Sequence, residues 1–375
     1  MKIGITCYPT IGGSGIVATE LGKKLAEKGH EIHFITSSVP FRIDHFSRNM
    51  FFHEVEVNQY AVFRYPPYDI SLASKMAEVA RNEHLDVLHV HYAVPHAICA
   101  YLAKQLVGGQ LKIVTTLHGT DITVLGYDPT LSHMIRFGIE QSDAVTAVSR
   151  DLVRETQELL ETKKAIQPIY NFVDETTYYK RDVPDLKAVL GIAPEEQVLT
   201  HISNFRSVKR VPDIVKVFAN VREVMPSKLL MIGEGPELPI VKKLVSDLHL
   251  ERHVIFLGKQ ENIAEILNIT DLVLLFSSKE SFGLVLLEAA ACGVPAVGTN
   301  AGGIPEVILD GETGFIAPVG DIARLTDRTL KILKNPELKK RMGEKAQLRA
   351  ESEFHSSIIV NQYEELYKEI LGQKS

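Results

Sequence analysis

The chain has 375 residues, 45% of them hydrophobic, and a net charge of −6. That length suits two domains with sizeable cores. The acidic balance excludes a surface built as a whole for nucleic acid or anionic lipid, so any phosphate or carboxylate site must be local. Cys7, Cys99 and Cys292 are too few and too scattered for a disulfide framework or a zinc site, and read as reduced core residues. No apolar run approaches the roughly 20 residues that span a bilayer, and the first strand begins at residue 2 with no leader ahead of it. The expectation is a cytoplasmic protein without stable membrane insertion. Nothing in the sequence fixes an oligomeric state, and a homo-oligomer stays open.

Residues 2–7 read as a strand, followed by a Pro/Gly loop that runs to Gly15. Val17, Leu21 and Leu25 then share a helical face, and Gly29 stops that helix. Residues 31–36 form the next strand, while 40–70 show no clear period. Residues 85–91, 112–117 and 144–148 read as further parallel strands. This alternation predicts a doubly wound α/β domain. Residues 166–185, with Pro168, Asn171 and Pro184, break the pattern and read as a connection. A second series follows at 197–203, 228–232, 254–257, 271–276 and 296–299, and the chain closes on an amphipathic helix over 356–371. The expected domains are 1–170 and 171–355, with 356–375 as a final helix.

The run from Glu280 to Glu288 is the most specific in the chain. The apolar stretch 271–276 precedes it, and a helix-forming stretch ending at Gly293 follows it. Glu280 is therefore expected at a strand end, with Ser281 to Leu284 opening a helix whose free N–H groups point at an anion. Glu288 falls two turns on, on about the same helical face. A nucleotide-sugar pocket needs such parts: Glu280 for sugar hydroxyls, the amides of Phe282, Gly283 and Leu284 for phosphate, and Glu288 for ribose. Two solvated carboxylates flanking a core helix would leave the intervening Ser-Phe-Gly unexplained.

Three further clusters sit at expected strand ends. Gly12-Gly13-Ser14-Gly15 permits close backbone approach before a helix N-terminus. Its spacing is not G-x-G-x-x-G, and the second strand ends in Thr36-Ser37-Ser38 with no acidic residue for an adenine ribose. That disfavours NAD, though a purely structural tight turn stays open. Asn204-Phe205-Arg206-Ser207-Val208-Lys209-Arg210 offers three cations that can neutralise a departing diphosphate, or a merely solvated basic loop. His118-Gly119-Thr120-Asp121 offers an imidazole at a strand end, with Asp121 to orient a ring nitrogen or cap a helix. His89 and His91 alternate on one strand and could share a metal, but no third ligand has a plausible local spacing. Asp-x-Asp is absent from the sequence, which disfavours diphosphate chelation through a divalent ion. No metal and no cofactor is expected.

The acidic-x7-acidic run, the Gly-rich start, His118 to Asp121, Ala147-Val148-Ser149, Asn171 to Asp174 and Gly302-Gly303-Ile304-Pro305-Glu306 together resemble the retaining glycosyltransferases of family four. Those motifs cover nearly the whole chain. The resemblance implies the GT-B architecture, α/β with two Rossmann-like doubly wound domains facing a central cleft, and a final helix that returns to the first domain. Within the family it points to the bacterial transferases that join N-acetylglucosamine from UDP-GlcNAc to L-malate, the first step of bacillithiol synthesis. Cys7 to Gly15 and His118 to Gly126 carry that part.

The resemblance also implies roles. The loop at Gly13 lies over the donor diphosphate and the acceptor. His118 contacts the transferred sugar near its reacting carbon. Arg206 and Lys209 hold the diphosphate, although the family spaces its Arg and Lys five residues apart, so Arg210 competes with Lys209. Related transferases that use inositol phosphate suggest Tyr92, Thr120 and Arg136 for the acceptor, with Arg150 as an alternative and Ser14 and Asn204 completing the shell. His118, Arg206, Lys209 and Glu280 form the expected catalytic set. The rivals are another acceptor, such as a sugar phosphate or a lipid, a UDP-sugar 2-epimerase, and a non-catalytic nucleotide-binding regulator. The helix region 96–106 carries only Lys104 as a full cation, which weakens the lipid reading.

Overall fold

Residues 1–9, 13–39, 48–57 and 64–373 are described by the computed structural model. Near-continuous apolar runs form parallel strands buried on both faces. The first sheet holds β1 (Lys2–Thr6), β2 (Glu31–Thr36), β3 (Met50–Glu54), β4 (Val87–His91), β5 (Lys112–Leu117), β6 (Ala144–Ala147) and β7 (Ile166–Pro168). Its spatial order is β3-β2-β1-β4-β5-β6-β7. The second sheet holds β8 (Gln197–Ile202), β9 (Ser227–Ile232), β10 (Val254–Gly258), β11 (Leu272–Leu275), β12 (Ala296–Thr299) and β13 (Gly314–Ala317). Its order, β10-β9-β8-β11-β12-β13, repeats the doubly wound pattern. In each sheet the order reverses beside the first strand, at β1/β4 and at β8/β11. Such a reversal leaves a crevice at the carboxyl ends of the strands, where open α/β sheets bind ligands.

The chain divides into two units. One runs from Met1 to Asn171 and takes back the segment from Ser356 onward; the other is Phe172–His355. In the first unit the helix Gly13–Glu27 packs hard on the sheet: a Cβ at Gly22 would stand 2.4 Å from the Phe34 ring. The final helix, Ser356–Ile370, belongs to this unit. Its Tyr363 and Tyr367 are 2% and 0% exposed. Its Glu364 accepts from His30 Nε2 at 2.9 Å and pairs with Lys28. In the second unit, Phe205, Phe218, Met231 and Phe276 belong to one apolar cluster.

Three strands depart from the sequence reading. β3 lies in the stretch without a clear period, and it forms because Met50 to Glu54 pair with β2 along the sheet edge. β7 takes up the start of the segment read as a connection. Its Pro168 opposes Ala147 at an outer strand, where a missing N–H costs little. The division between units therefore falls after Asn171. β13 is a four-residue strand headed by Gly314, whose Cβ would meet the Ala296 carbonyl at 2.1 Å.

Candidate functional site

In the first unit a hydrogen bond spans the β1/β4 switch point. Ser14 opens the helix after β1, Tyr92 follows β4, and their hydroxyls are 2.9 Å apart. Thr10, Ile11 and Gly12 lie outside the described residues. Gly13, at the helix start, is exposed. Tyr92 is held at φ +90°, which a tyrosine adopts only when its surroundings over-determine it. Its N–H bonds to the Thr116 carbonyl at 2.9 Å, and its ring meets Tyr8 at 5.4 Å and His118 at 5.6 Å. Ser14, Tyr92 and His118 thus come together.

His118 follows β5 and is half-buried. Desolvation lowers its pKa to about 3, so the ring is neutral at pH 7. His89, His91 and His96 are also held low by burial. His89 and His91 do share a strand face, but they stack with centroids 4.5 Å apart. Among the described residues, the metal-type grouping is elsewhere, at Glu31, His33 and Glu83. There the Glu31 carboxylate already meets Lys2 at 2.8 Å and His33 at 3.0 Å.

Asp121 was expected to orient a ring or cap a helix. It is fully buried and accepts from the N–H groups of Ala93 and Gly119, each at 3.0 Å. It therefore ties the turn after β4 to the turn after β5. Desolvation raises its pKa to about 6, against the pull of those backbone donors. Thr120, beside it, is exposed. Arg136 lies on the helix Pro129–Gln141, where its Nε donates to Glu140 at 2.9 Å. That contact places it in a surface pair one helical turn long. Arg150 is exposed, one residue after Ser149, whose hydroxyl caps its helix through the Leu152 N–H.

In the second unit the β8/β11 switch point is closed by an ion pair. Lys209 Nζ donates to Glu280 Oε2 at 2.6 Å, and Ser277 Oγ donates to the same oxygen at 3.1 Å. Ser278 N–H bonds to the Val208 carbonyl at 2.8 Å, which ties the two loops along their backbones. Arg206 and Asn204 are exposed. The Arg206 side chain has no ion-pair partner among the described residues. Arg210 is engaged otherwise: its guanidinium bonds Asp213, whose side chain is 8% exposed, at 2.6 Å.

The Glu280–Glu288 run differs from its sequence reading in one respect. β11 stops at Leu275, and the helix begins only at Leu284, with Gly283 at φ +91° ahead of it. Glu280 therefore stands in the loop, and the shared helical face with Glu288 does not exist. Ser281 and Phe282 also precede the helix. The Phe282 ring is buried against Phe354, with centroids 5.8 Å apart. Glu288 is half-buried on the helix itself.

Several further residues support the site from behind, and the sequence reading gave His201, Gly233 and Gly235 no role. His201 Nδ1 donates to the Leu274 carbonyl at 2.9 Å, and its Nε2 meets Ser203 Oγ at 2.8 Å, which fixes the start of the Asn204 loop. Gly233 and Gly235 let the loop after β9 lie on that segment. A Cβ at Gly233 would be 1.8 Å from the Ser203 carbonyl oxygen, and one at Gly235 2.0 Å from that of Asn204. Gly302 and Gly303 do the same for the carboxylate loop: a Cβ at Gly302 would be 1.9 Å from the Glu280 carbonyl oxygen. The Gly233-Glu234-Gly235 spacing was the available clue. The three cysteines are buried and free, and burial pushes each thiol up to about 12, which removes them as nucleophiles.

The Glycosyltransferase Family 4 model matches residues 11–177. The glycosyl transferases group 1 model matches residues 182–349. The chain is 60% identical over 371 residues to the N-acetyl-alpha-D-glucosaminyl L-malate synthase of Bacillus anthracis, covering 99% of this chain and 97% of the relative. It is 24% identical over 374 residues to a D-inositol 3-phosphate glycosyltransferase of Nocardia farcinica, covering 89% and 80%. A solved glycosyltransferase from Rickettsia africae matches with a TM-score of 0.84 at 21% identity, over 100% of this chain and 99% of that one. Anabaena HepE, solved with UDP-glucose, matches at 0.79 and 20% identity, over 98% and 100%. The last two likenesses concern the fold.

Proposed function

The chain belongs to the family-four glycosyltransferases, and from that premise we propose that it moves N-acetylglucosamine from UDP-GlcNAc to the hydroxyl of L-malate, with retention at the anomeric carbon. This would be the first step of bacillithiol synthesis, carried out in the cytoplasm. The observation that carries the reading is the 60% identity, across nearly the whole of both chains, to a relative named for that product.

The second unit supplies the donor chemistry. As the glycosidic bond to phosphate breaks, negative charge grows on the diphosphate. Arg206, Lys209 and the amides about Phe282, Gly283 and Leu284 stabilise it more in the transition state than in the ground state. Glu280 takes sugar hydroxyls and Glu288 takes ribose. Lys209 is already oriented by Glu280, so little reorganisation is needed when the donor arrives. In the first unit, His118 is the group for the sugar, and Ser14, Tyr92, Thr120 and Arg136 are the groups for malate; Asn204 is a further acceptor candidate. The departing phosphate oxygen takes the proton of the malate hydroxyl on the same face, so the new bond forms on the side the old one left. No metal has a part in this scheme. No helix of the described residues is long and apolar enough to cross a membrane.

The test is a mass-spectrometric product assay with UDP-GlcNAc and a panel of hydroxy acids, run with and without EDTA. Expected is an α-linked N-acetylglucosaminyl malate in both conditions. A product with only a sugar phosphate or lipid acceptor would replace malate and keep the transferase. Isomerised sugar nucleotide without an acceptor would point to epimerase chemistry. Activity silenced by EDTA and restored by one divalent ion would overturn the metal-free scheme.

A further inference from the structure

β4 and β5 bring four imidazoles together in the first unit. His91 lies between His89 and His118, with ring centroids at 4.5 Å and 5.0 Å. The far end of the stack is anchored. His89 Nδ1 is 2.7 Å from the Tyr367 hydroxyl, and its Nε2 is 2.7 Å from Thr116 Oγ1. His96 Nδ1 donates to the His91 carbonyl, which holds the backbone at that point. His91 itself is fully buried. Its Nδ1 is 2.8 Å from His118 Nε2, and its Nε2 is buried with no hydrogen-bond partner among the described residues.

That single contact decides where a proton sits. Burial keeps His91 and His118 neutral, so each ring carries one N–H and one lone pair. If His118 Nε2 donated, His91 would accept at Nδ1 and carry its own proton on Nε2. That N–H would be buried with nothing to receive it. If His91 Nδ1 donates, its Nε2 is left as a bare ring lone pair. Orphaned buried N–H groups are rarer than under-satisfied acceptors, and leaving a buried donor unmade carries its full desolvation cost. The second arrangement wins, and His118 must then carry its proton on Nδ1. In water a neutral histidine side chain favours the opposite, Nε2–H form.

We propose that His91 is a positioning residue that fixes His118 as the Nδ1–H tautomer, so that His118 meets the sugar nucleotide as an N–H donor. The proposal rests on the reading of His118 as a substrate-contacting group. His91 acts only through it.

The experiment uses the full-length enzyme labelled with ¹⁵N-histidine. Long-range ¹H–¹⁵N spectra at pH 7 report the tautomer of His118, assigned by its absence in His118→Gln. The native protein should show Nδ1–H. His91→Phe keeps a flat ring without a donor. In it His118 should revert to Nε2–H, and kcat should fall at least tenfold with a smaller change in the KM for UDP-GlcNAc. His91→Asn places an amide nitrogen near the Nδ1 position and should restore the tautomer and most of the turnover. Native His118 found as Nε2–H overturns the proposal, whether or not the variants fold. So does an unchanged tautomer in folded His91→Phe, or a folded His91→Asn that behaves like His91→Phe. A tautomer that shifts as expected while kcat stays native in both His91→Phe and His118→Gln would keep the proton assignment and overturn the catalytic use of His118.

Discussion

Lys209 donates to Glu280 at 2.6 Å across the switch point of the second sheet, with the two side chains 19% and 14% exposed. Neither charge stands alone in that setting, and the loops that carry them are bonded to each other. Removing the cation leaves a mostly buried carboxylate with Ser277 as its remaining donor. Lys209→Met should therefore lower kcat by about 10²–10³, the usual loss when one oriented donor is deleted. Glu280→Gln, which keeps an acceptor, should lose less than Glu280→Ala. Steady-state kinetics with UDP-GlcNAc decide it, and near-native kcat in Lys209→Met would remove Lys209 from the diphosphate.

Glu288 gives a separate binding test because it stands on the helix Leu284–Ala291 and not in the Glu280 loop. Losing one charged hydrogen bond costs about 1.5–3 kcal/mol. Glu288→Ala should weaken UDP itself by that amount in calorimetric titration. Unchanged UDP affinity would end the ribose assignment.

Arg136 is held by Glu140 in a pair 43% and 39% exposed. An exposed helix pair of that kind contributes little, so an acceptor carboxylate can displace it at small cost. Arg136→Ala is expected to raise the malate KM about tenfold or more and to leave UDP affinity alone. An unaltered malate KM would move the acceptor carboxylates to other groups, Arg150 first.

The histidines make stability depend on acid. Burial lowers His89 and His118 to about 3 and His96 and His201 to about 4, from 6.5. As pH falls below 6.5 the unfolded chain takes these protons and the folded chain does not. Each such group then removes about 1.4 kcal/mol per pH unit until its folded value is reached. Asp121, raised from 3.8 to about 6, works against this with one proton in the window between those values. The net effect is loss, concentrated in the first unit. Urea unfolding followed by circular dichroism should show a clearly lower midpoint at pH 5.5 than at pH 7.5. Equal midpoints would mean the imidazoles are not held neutral.

Gly302 tests the backbone. It sits at φ +56°, and a Cβ there would stand 1.9 Å from the Glu280 carbonyl oxygen. Gly302→Ala should push the Glu280 loop away and cost most of the turnover while the far-ultraviolet dichroism stays native. Gly311→Ala, at φ +80° with open space around it, is the comparison that carries only backbone strain. If the two behave alike, the close approach at Gly302 is not what the site needs.

The doubly wound pattern was legible because buried parallel strands such as Ile3 to Thr6 and Leu272 to Leu275 are short apolar runs at regular spacing. The Glu280 and Asn204 loops were legible as chemistry stranded at strand ends. What escaped depends on pairing across distant positions. β3 and β7 exist because neighbours accept them, and their own composition announces neither. The start of the helix at Leu284 is set by Gly283 at φ +91°, which a propensity argument places three residues early. The partners Lys209–Glu280 and Ser14–Tyr92 lie 71 and 78 residues apart. No local spacing could have joined them. His201, Gly233 and Gly235 support the site from behind, through contacts only a folded backbone defines.

The final helix gives the first unit an unusual birth order. Tyr363 and Tyr367 fill its interior, and Tyr367 satisfies His89, so this unit is made of the beginning and the end of the chain. During synthesis from the amino terminus, Phe172–His355 is complete before the first sheet receives its last helix. The nascent first sheet keeps the side that carries His89 and Thr116 uncovered until Tyr363 and Tyr367 have emerged. A chain ending at His355 should then show native protection in its second unit and rapid proteolysis in its first, and equal protection of both would refute that order.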